Sequence, residues 1–169
     1  TFNTTGYTVS GGTLTLGGAT PTVSVTGSAN ISSVIAGTAG VAKTGAGVLD
    51  IDGPAASDFG VVNVQGGTLQ VAAAATLLGV GELTVAAGTT LQLDGGVVGT
   101  NGSDIADIGG RITGTGRLDL GDGDDRLLLH DAADTQGLAT LDGGAGIDTI
   151  DAVVQAGAPV QMNVIPAVA

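Results

Sequence analysis

The sequence predicts an all-β solenoid, a coil of short stacked strands with about 20–27 residues per turn. Three observations predict it. The 169 residues include one Tyr, two Phe and no Trp, against 32 Gly, so the aromatic side chains that usually fill a deep core are missing. Short alternating strands recur at a near-regular interval. Helical patterning is absent: Ala72–Ala75 is the best candidate, and an isolated helix needs about 12–15 residues.

The strands follow in chain order. Gly12-Thr13-Leu14-Thr15-Leu16, Gly47-Val48-Leu49-Asp50-Ile51, Gly67-Thr68-Leu69-Gln70-Val71, Thr90-Leu91-Gln92-Leu93 and Gly116-Arg117-Leu118-Asp119-Leu120 alternate apolar with polar residues, as half-buried strands do. Leu49 to Leu69 is a step of about 20 residues, Leu69 to Leu91 about 22, and Leu91 to Leu118 about 27, the range of solenoid repeats. A second series, Val23-Ser24-Val25, Val62-Asn63-Val64 and Leu83-Thr84-Val85, shares the period. Each turn of the coil should therefore carry at least two strands, with equivalent strands stacked in parallel. Ala72–Ala75 reads as a corner, and the pairs Gly17-Gly18, Gly66-Gly67, Gly95-Gly96 and Gly109-Gly110 read as turns. The stretch Gly95–Asp107 reads as an enlarged loop. Seven or so turns would make a rod roughly 35 Å long. Nothing divides the chain, so residues 1–169 form one coil.

Charge narrows the function. The formal net charge is −12, with Lys43, Arg111, Arg117 and Arg126 the only basic side chains. Little is available to neutralise phosphates, which argues against nucleic acid and against an anionic membrane surface. With no cysteine, disulfides and thiol catalysis are excluded, and a chain that crosses membranes unfolded gains from that absence. The start at Thr1 suggests a piece of a longer precursor.

Residues 31–71 are more specific. Ile31, Ile35, Gly37, Gly40, Lys43, Gly45, Gly47, Leu49, Ile51, Gly53, Gly60, Val64, Gly67, Leu69 and Val71 fall at the spacings of the passenger-associated transport repeat. The segment resembles that repeat of autotransporter passenger domains, and the chain resembles the pertactin-like type. It departs at one corner, where Ala56-Ser57-Asp58-Phe59-Gly60 replaces the usual Asn and Tyr. The resemblance implies a right-handed, single-stranded parallel β-helix, displayed at the bacterial surface after export through the periplasm. It implies a C-terminal outer-membrane β-barrel in the same precursor as a partner. It also implies that residues 95–169 form a C-terminal, autochaperone-like region that helps the coil fold. The function expected is a non-catalytic stalk of an adhesin. A host-surface or matrix ligand and self-association are the further partners to consider.

Two acidic turns form the metal candidate. Leu120-Gly121-Asp122-Gly123-Asp124-Asp125-Arg126-Leu127 and Gly143-Gly144-Ala145-Gly146-Ile147-Asp148-Thr149-Ile150 resemble the nonapeptide of calcium-binding RTX β-rolls. That resemblance implies Ca²⁺ at Asp125 and Asp148, which lie 23 residues apart, about one turn. The plainer reading is that Gly and Asp only make tight turns. No other cofactor is expected.

Catalytic signals are weak. His130 stands alone near Asp131 and Asp134, without a Gly-x-Ser-x-Gly elbow. Asp124 and Asp125 are a carboxylate pair without the basic and aromatic grip that a polysaccharide-cleaving enzyme uses. The four cations read as surface residues or local charge partners. Phe59 should seal a corner and Tyr7 should pack at the first turn. Thr13, Thr15, Asp50, Gln70, Gln92 and Asp119 should form outward polar ladders. The alternatives are a calcium-dependent RTX-like secreted domain and, further off, a polysaccharide-active β-helix.

Overall fold

A computed structural model describes residues 1–53, 59–130 and 140–152. Among them there is no helix, and every strand pairing is parallel. The chain winds into coils. The first holds β1 (Tyr7–Val9), β2 (Thr13–Thr15) and β3 (Thr22–Ser24), and the second β4 (Ser28–Ile31), β5 (Val34–Ala36) and β6 (Val41–Thr44). The third holds β7 (Val48–Ile51) and β8 (Gly60–Val64); the fourth β9 (Thr68–Val71), β10 (Thr76–Leu78) and β11 (Val80–Val85). The fifth holds β12 (Thr90–Leu93), β13 (Gly96–Thr100) and β14 (Ile105–Ile108); the sixth β15 (Arg111–Thr113), β16 (Arg117–Gly121) and β17 (Arg126–Leu129). Two strands of a seventh follow, β18 (Thr140–Asp142) and β19 (Thr149–Ala152).

Stacking gives the coil three faces. The first face is β1-β4-β7-β9-β12-β15, and the third is β3-β6-β8-β11-β14-β17-β19. The second face consists of the pair β2-β5 and the sheet β10-β13-β16-β18. Paired residues are separated by 20 (Leu49 to Leu69) to 23 (Leu83 to Ala106) positions. The 27-residue step is corrected: Leu91 pairs with Ile112, while Leu118 belongs to the second face and pairs with Val97. The first predicted series therefore mixes faces, since β2 and β16 lie on the second and β7, β9 and β12 on the first. The second series lies wholly on the third face, in β3, β8 and β11. Gly95–Asp107 is not an enlarged loop. It contains β13 and most of β14, and Val97 and Ala106 enter the core.

The core is a set of ladders. Ala29, Leu49, Leu69, Leu91 and Ile112 stack on the first face and are all buried. Leu77, Val97 and Leu118 do so on the second, and Val62, Leu83, Ala106 and Leu127 on the third. One coil cannot bury these side chains alone; its neighbours above and below do it. Phe59 is buried and its amide donates to the Leu78 carbonyl at 2.9 Å. Tyr7 tilts against Phe2 with ring centroids 5.4 Å apart and remains 46% exposed. Residues 54–58, most of the departing corner, lie outside the described residues, as do 131–139 and 153–169.

Glycine admits close backbone approach at one corner of the second coil. Gly40 has φ 75°, and a Cβ there would overlap the Val61 carbonyl of the next coil. A side chain would meet both a backbone penalty and a clash with main chain that cannot move aside.

Candidate functional site

The acidic turns of coils five to seven stack. Thr100 pairs with Gly121 across β13 and β16, and Asp122 bridges to Ala145. Ile105, Arg126 and Thr149 are in register across β14, β17 and β19. The residues just before these three, Asp104, Asp125 and Asp148, therefore stand above one another. Asp104 was not singled out from the sequence because its turn reads Thr100-Asn101-Gly102-Ser103-Asp104, without the leading glycines. Its 21-residue spacing from Asp125 was the available signal.

Each carboxylate is used. Asp125 Oδ1 accepts the Asp104 amide at 2.8 Å, and Asp148 Oδ1 accepts the Asp125 amide at 3.2 Å. Asp104 is held within its own turn, where Oδ1 accepts the Thr100 hydroxyl at 2.7 Å and Oδ2 the Thr100 amide. Asp125 differs. It is 2% exposed and its Oδ2 has no hydrogen-bond partner. Burial raises its pKa above the ordinary value, with the Asp104 amide opposing and the charges of Asp104, Asp148 and Asp124 adding. Asp124 and Asp125 do not act as a pair. Asp124 is exposed and accepts the Ile147 amide at 2.9 Å, while its neighbour turns inward. Among the described residues no group of three His, Cys, Asp or Glu side chains converges on one point.

The four cations part company. Lys43 is not a surface residue: it is 0% exposed. Its ammonium donates to the carbonyls of Thr44 (3.1 Å), Gly45 (2.9 Å) and Gly66 (2.7 Å). Burial holds its pKa below the usual lysine range. Carbonyls converging from the corners of two coils, which charge in the sequence cannot reveal, make that burial tolerable. Arg117 pairs with Asp119 at 2.6 Å and with Asp142 at 3.0 Å, and Arg126 pairs with Asp151. The Asp119 contact lies within one strand, while those to Asp142 and Asp151 join coil six to coil seven; solvent-accessible pairs of this kind are of small individual worth.

His130 is exposed, as expected for a lone loop histidine, and its Nε2 lies 2.6 Å from Asp107 Oδ1, 23 residues earlier. Asp131 and Asp134 lie outside the described residues. No Ser, Thr or Tyr hydroxyl bonds to His130 among the described residues. The outward polar residues form one true ladder: Asn30, Asp50, Gln70 and Gln92 are in register. Asn30 Nδ2 donates to Asp50 Oδ2 at 3.2 Å. Thr13 and Thr15 stack instead on Val34 and Ala36, and Asp119 on Val98 and Asp142. An open depression on the third face, lined by Ala19, Thr22, Ala42, Val61 and Asn63, has no charged residue in its wall. Another, on the second face, sets Arg117 and Asp94 among Thr76 and Val98.

No family model matches the chain, and no solved structure gives a significant match. The chain is similar to the "Adhesin BmaC autotransporter" of Brucella suis biovar 1 (strain 1330), with 39% identity over 179 aligned positions. The alignment covers 95% of this chain and 5% of that protein, so the chain spans a small fraction of its relative's length.

Proposed function

Taking the chain as autotransporter passenger sequence, we propose that it is a non-catalytic, surface-displayed segment of an adhesin that serves as a rigid β-helical stalk. The observation that carries this reading is the similarity to an autotransporter adhesin along 95% of the chain. The core is compatible with it: apolar ladders run from coil to coil through the described residues. A rod of parallel coils is stiff along its axis, because each coil is tied to the next by hydrogen bonds on up to three faces.

The partner in the same precursor is then an outer-membrane β-barrel C-terminal to the passenger, and the location is the outer face of the cell. Residues 95–169 serve as the folding scaffold. In a solenoid each finished coil offers an unpaired edge to the next, so folding can nucleate at one end and propagate. Engagement of a host-surface or matrix ligand belongs to the whole passenger, and this stretch presents it. The acid-free first 49 residues are where two copies could lie side by side without repulsion.

Antibodies raised against the chain should label intact cells that produce the full precursor, and added protease should abolish the label. Labelling only after the outer membrane is opened would overturn the proposal. For the scaffold role, deleting residues 95–169 from the precursor should leave the rest of the passenger protease-sensitive; full protection would refute it.

A further inference from the structure

The glycine turns of coils five to seven look alike, but they satisfy their aspartates differently. In coil five, Thr100 gives Asp104 both its hydroxyl and its amide. In coil six the same register position is Gly121. Gly121 has no hydroxyl, and its amide turns away to Asp119 Oδ1 at 3.1 Å. Coil seven repeats the arrangement, with the Gly144 amide on Asp142 Oδ1 at 3.1 Å. Asp125 is thus left with one capped oxygen and one buried oxygen that no protein donor reaches.

The surroundings make that oxygen costly. A buried carboxylate oxygen without a partner is destabilising, and Asp104, Asp124 and Asp148 each raise the Asp125 pKa by their charge. Twelve of the sixteen acidic residues lie between Asp94 and Asp151, against three arginines. Arg117 and Arg126 are engaged with Asp119, Asp142 and Asp151.

We propose that the stacked turns Gly121–Asp125 and Gly144–Asp148 bind a calcium ion through Asp125 Oδ2. Asp148 sits one coil above it. Because no three acidic side chains converge among the described residues, main-chain carbonyls of the turns and water supply the rest of the shell. Calcium accepts 6–8 such oxygen ligands in loose geometry, whereas magnesium demands a near-ideal octahedron. The role is structural: the ion ties coil six to coil seven and offsets the like charges stacked there. This inference stands on the turn geometry and is independent of the passenger reading.

The test uses the whole 169-residue chain, stripped with EGTA and melted by circular dichroism in EGTA, in excess CaCl₂ and in excess MgCl₂ at matched ionic strength. Calcium at a hundredfold excess over Kd should raise the midpoint by roughly 5 °C or more, and magnesium should not. Hydrogen exchange should slow at Gly121–Thr149 and leave the first coils unchanged. Asp125→Asn keeps the cap on Asp104, removes the charged oxygen and should abolish the calcium shift. If D125N does not fold, D148N carries the same comparison, with the calcium shift expected to shrink. Equal midpoints in EGTA and calcium overturn the proposal. So does an equal shift with magnesium, which is screening, or an undiminished calcium shift in the variant that folds.

Discussion

Replacing Lys43 with Met keeps the apolar stem and removes the ammonium. The side chain is fully buried and donates to three carbonyls. The Thr44 carbonyl keeps a partner, since it also accepts the Val25 amide at 3.0 Å. Those of Gly45 and Gly66 have no other donor among the described residues. Orphaning a buried polar group costs about 1–3 kcal/mol; Gly45 and Gly66 are half-buried, so water recovers part of that and the two together cost about 2–4 kcal/mol. Relief from burying a charge offsets part of that, leaving a net loss of about 2 kcal/mol. For a chain of this size the thermal midpoint should fall by about 4–8 °C. The pH dependence supplies a second readout. Burial lowers the Lys43 pKa in the folded chain, so the unfolded chain holds that proton more tightly. Wild-type stability relative to K43M should therefore rise as pH climbs from the lowered value toward that of free lysine. Denaturant and thermal melts of both proteins measure this directly. A K43M protein as stable as wild type, with no pH-dependent difference, would refute the reasoning and make the carbonyl cage energetically neutral.

Leu69→Ala should cost about 3 kcal/mol, because Leu69 is fully buried between Leu49 and Leu91 and the cavity cannot collapse. Gln70→Ala, one residue along on the outward ladder, should stay within about 1 kcal/mol in the same urea titration. Gly40→Ala should fail to give a cooperative melt, since the new Cβ meets the Val61 carbonyl and the backbone sits at φ 75°. In EGTA the raised pKa of Asp125 means that the native chain binds the proton more tightly than the unfolded one. Wild-type stability relative to D125N should then be greatest below the ordinary aspartate pKa. It should be lost as pH rises through the folded value, which melts at pH 3.5 to 7 will report. Arg126→Ala should shift the midpoint by less than about 3 °C, because the Asp151 pair is half exposed at both ends.

The coil was legible where burial alternates and glycine marks the corners. Leu49, Leu69 and Leu91 sit in clean apolar–polar–apolar strands, and the structure stacks all three. The second face was not legible. Its strands Val34–Ala36, Thr76–Leu78 and Gly96–Thr100 are runs of apolar or small residues without a clear alternation, so only their register exposes them. Leu118 shows the consequence: its strand looks like those of the first face, yet it stacks on Val97. Gly95–Asp107 misled through composition, because Gly, Asn and Asp mark loops in isolated sequence but here flank two strands. At the acidic turns the spacing of Asp125 and Asp148 foretold their stacking. The third rung, Asp104, depends on a threonine where the other two turns have glycine. Lys43 and the His130–Asp107 contact lay beyond sequence reasoning for one reason: each joins groups about one turn apart through a register that the residues do not announce.

The absence of cysteine makes one measurement decisive for the account as a whole. Ile147→Cys and Leu69→Cys are introduced singly into the full precursor, and intact cells are treated with a membrane-impermeant maleimide, with the parent precursor as background. Ile147 is 78% exposed and Leu69 is fully buried. A folded coil displayed outside the cell predicts labelling at position 147 on intact cells, and labelling at position 69 only after denaturation. No labelling at 147 on intact cells would contradict the display, and equal labelling at both positions would contradict the packed coil.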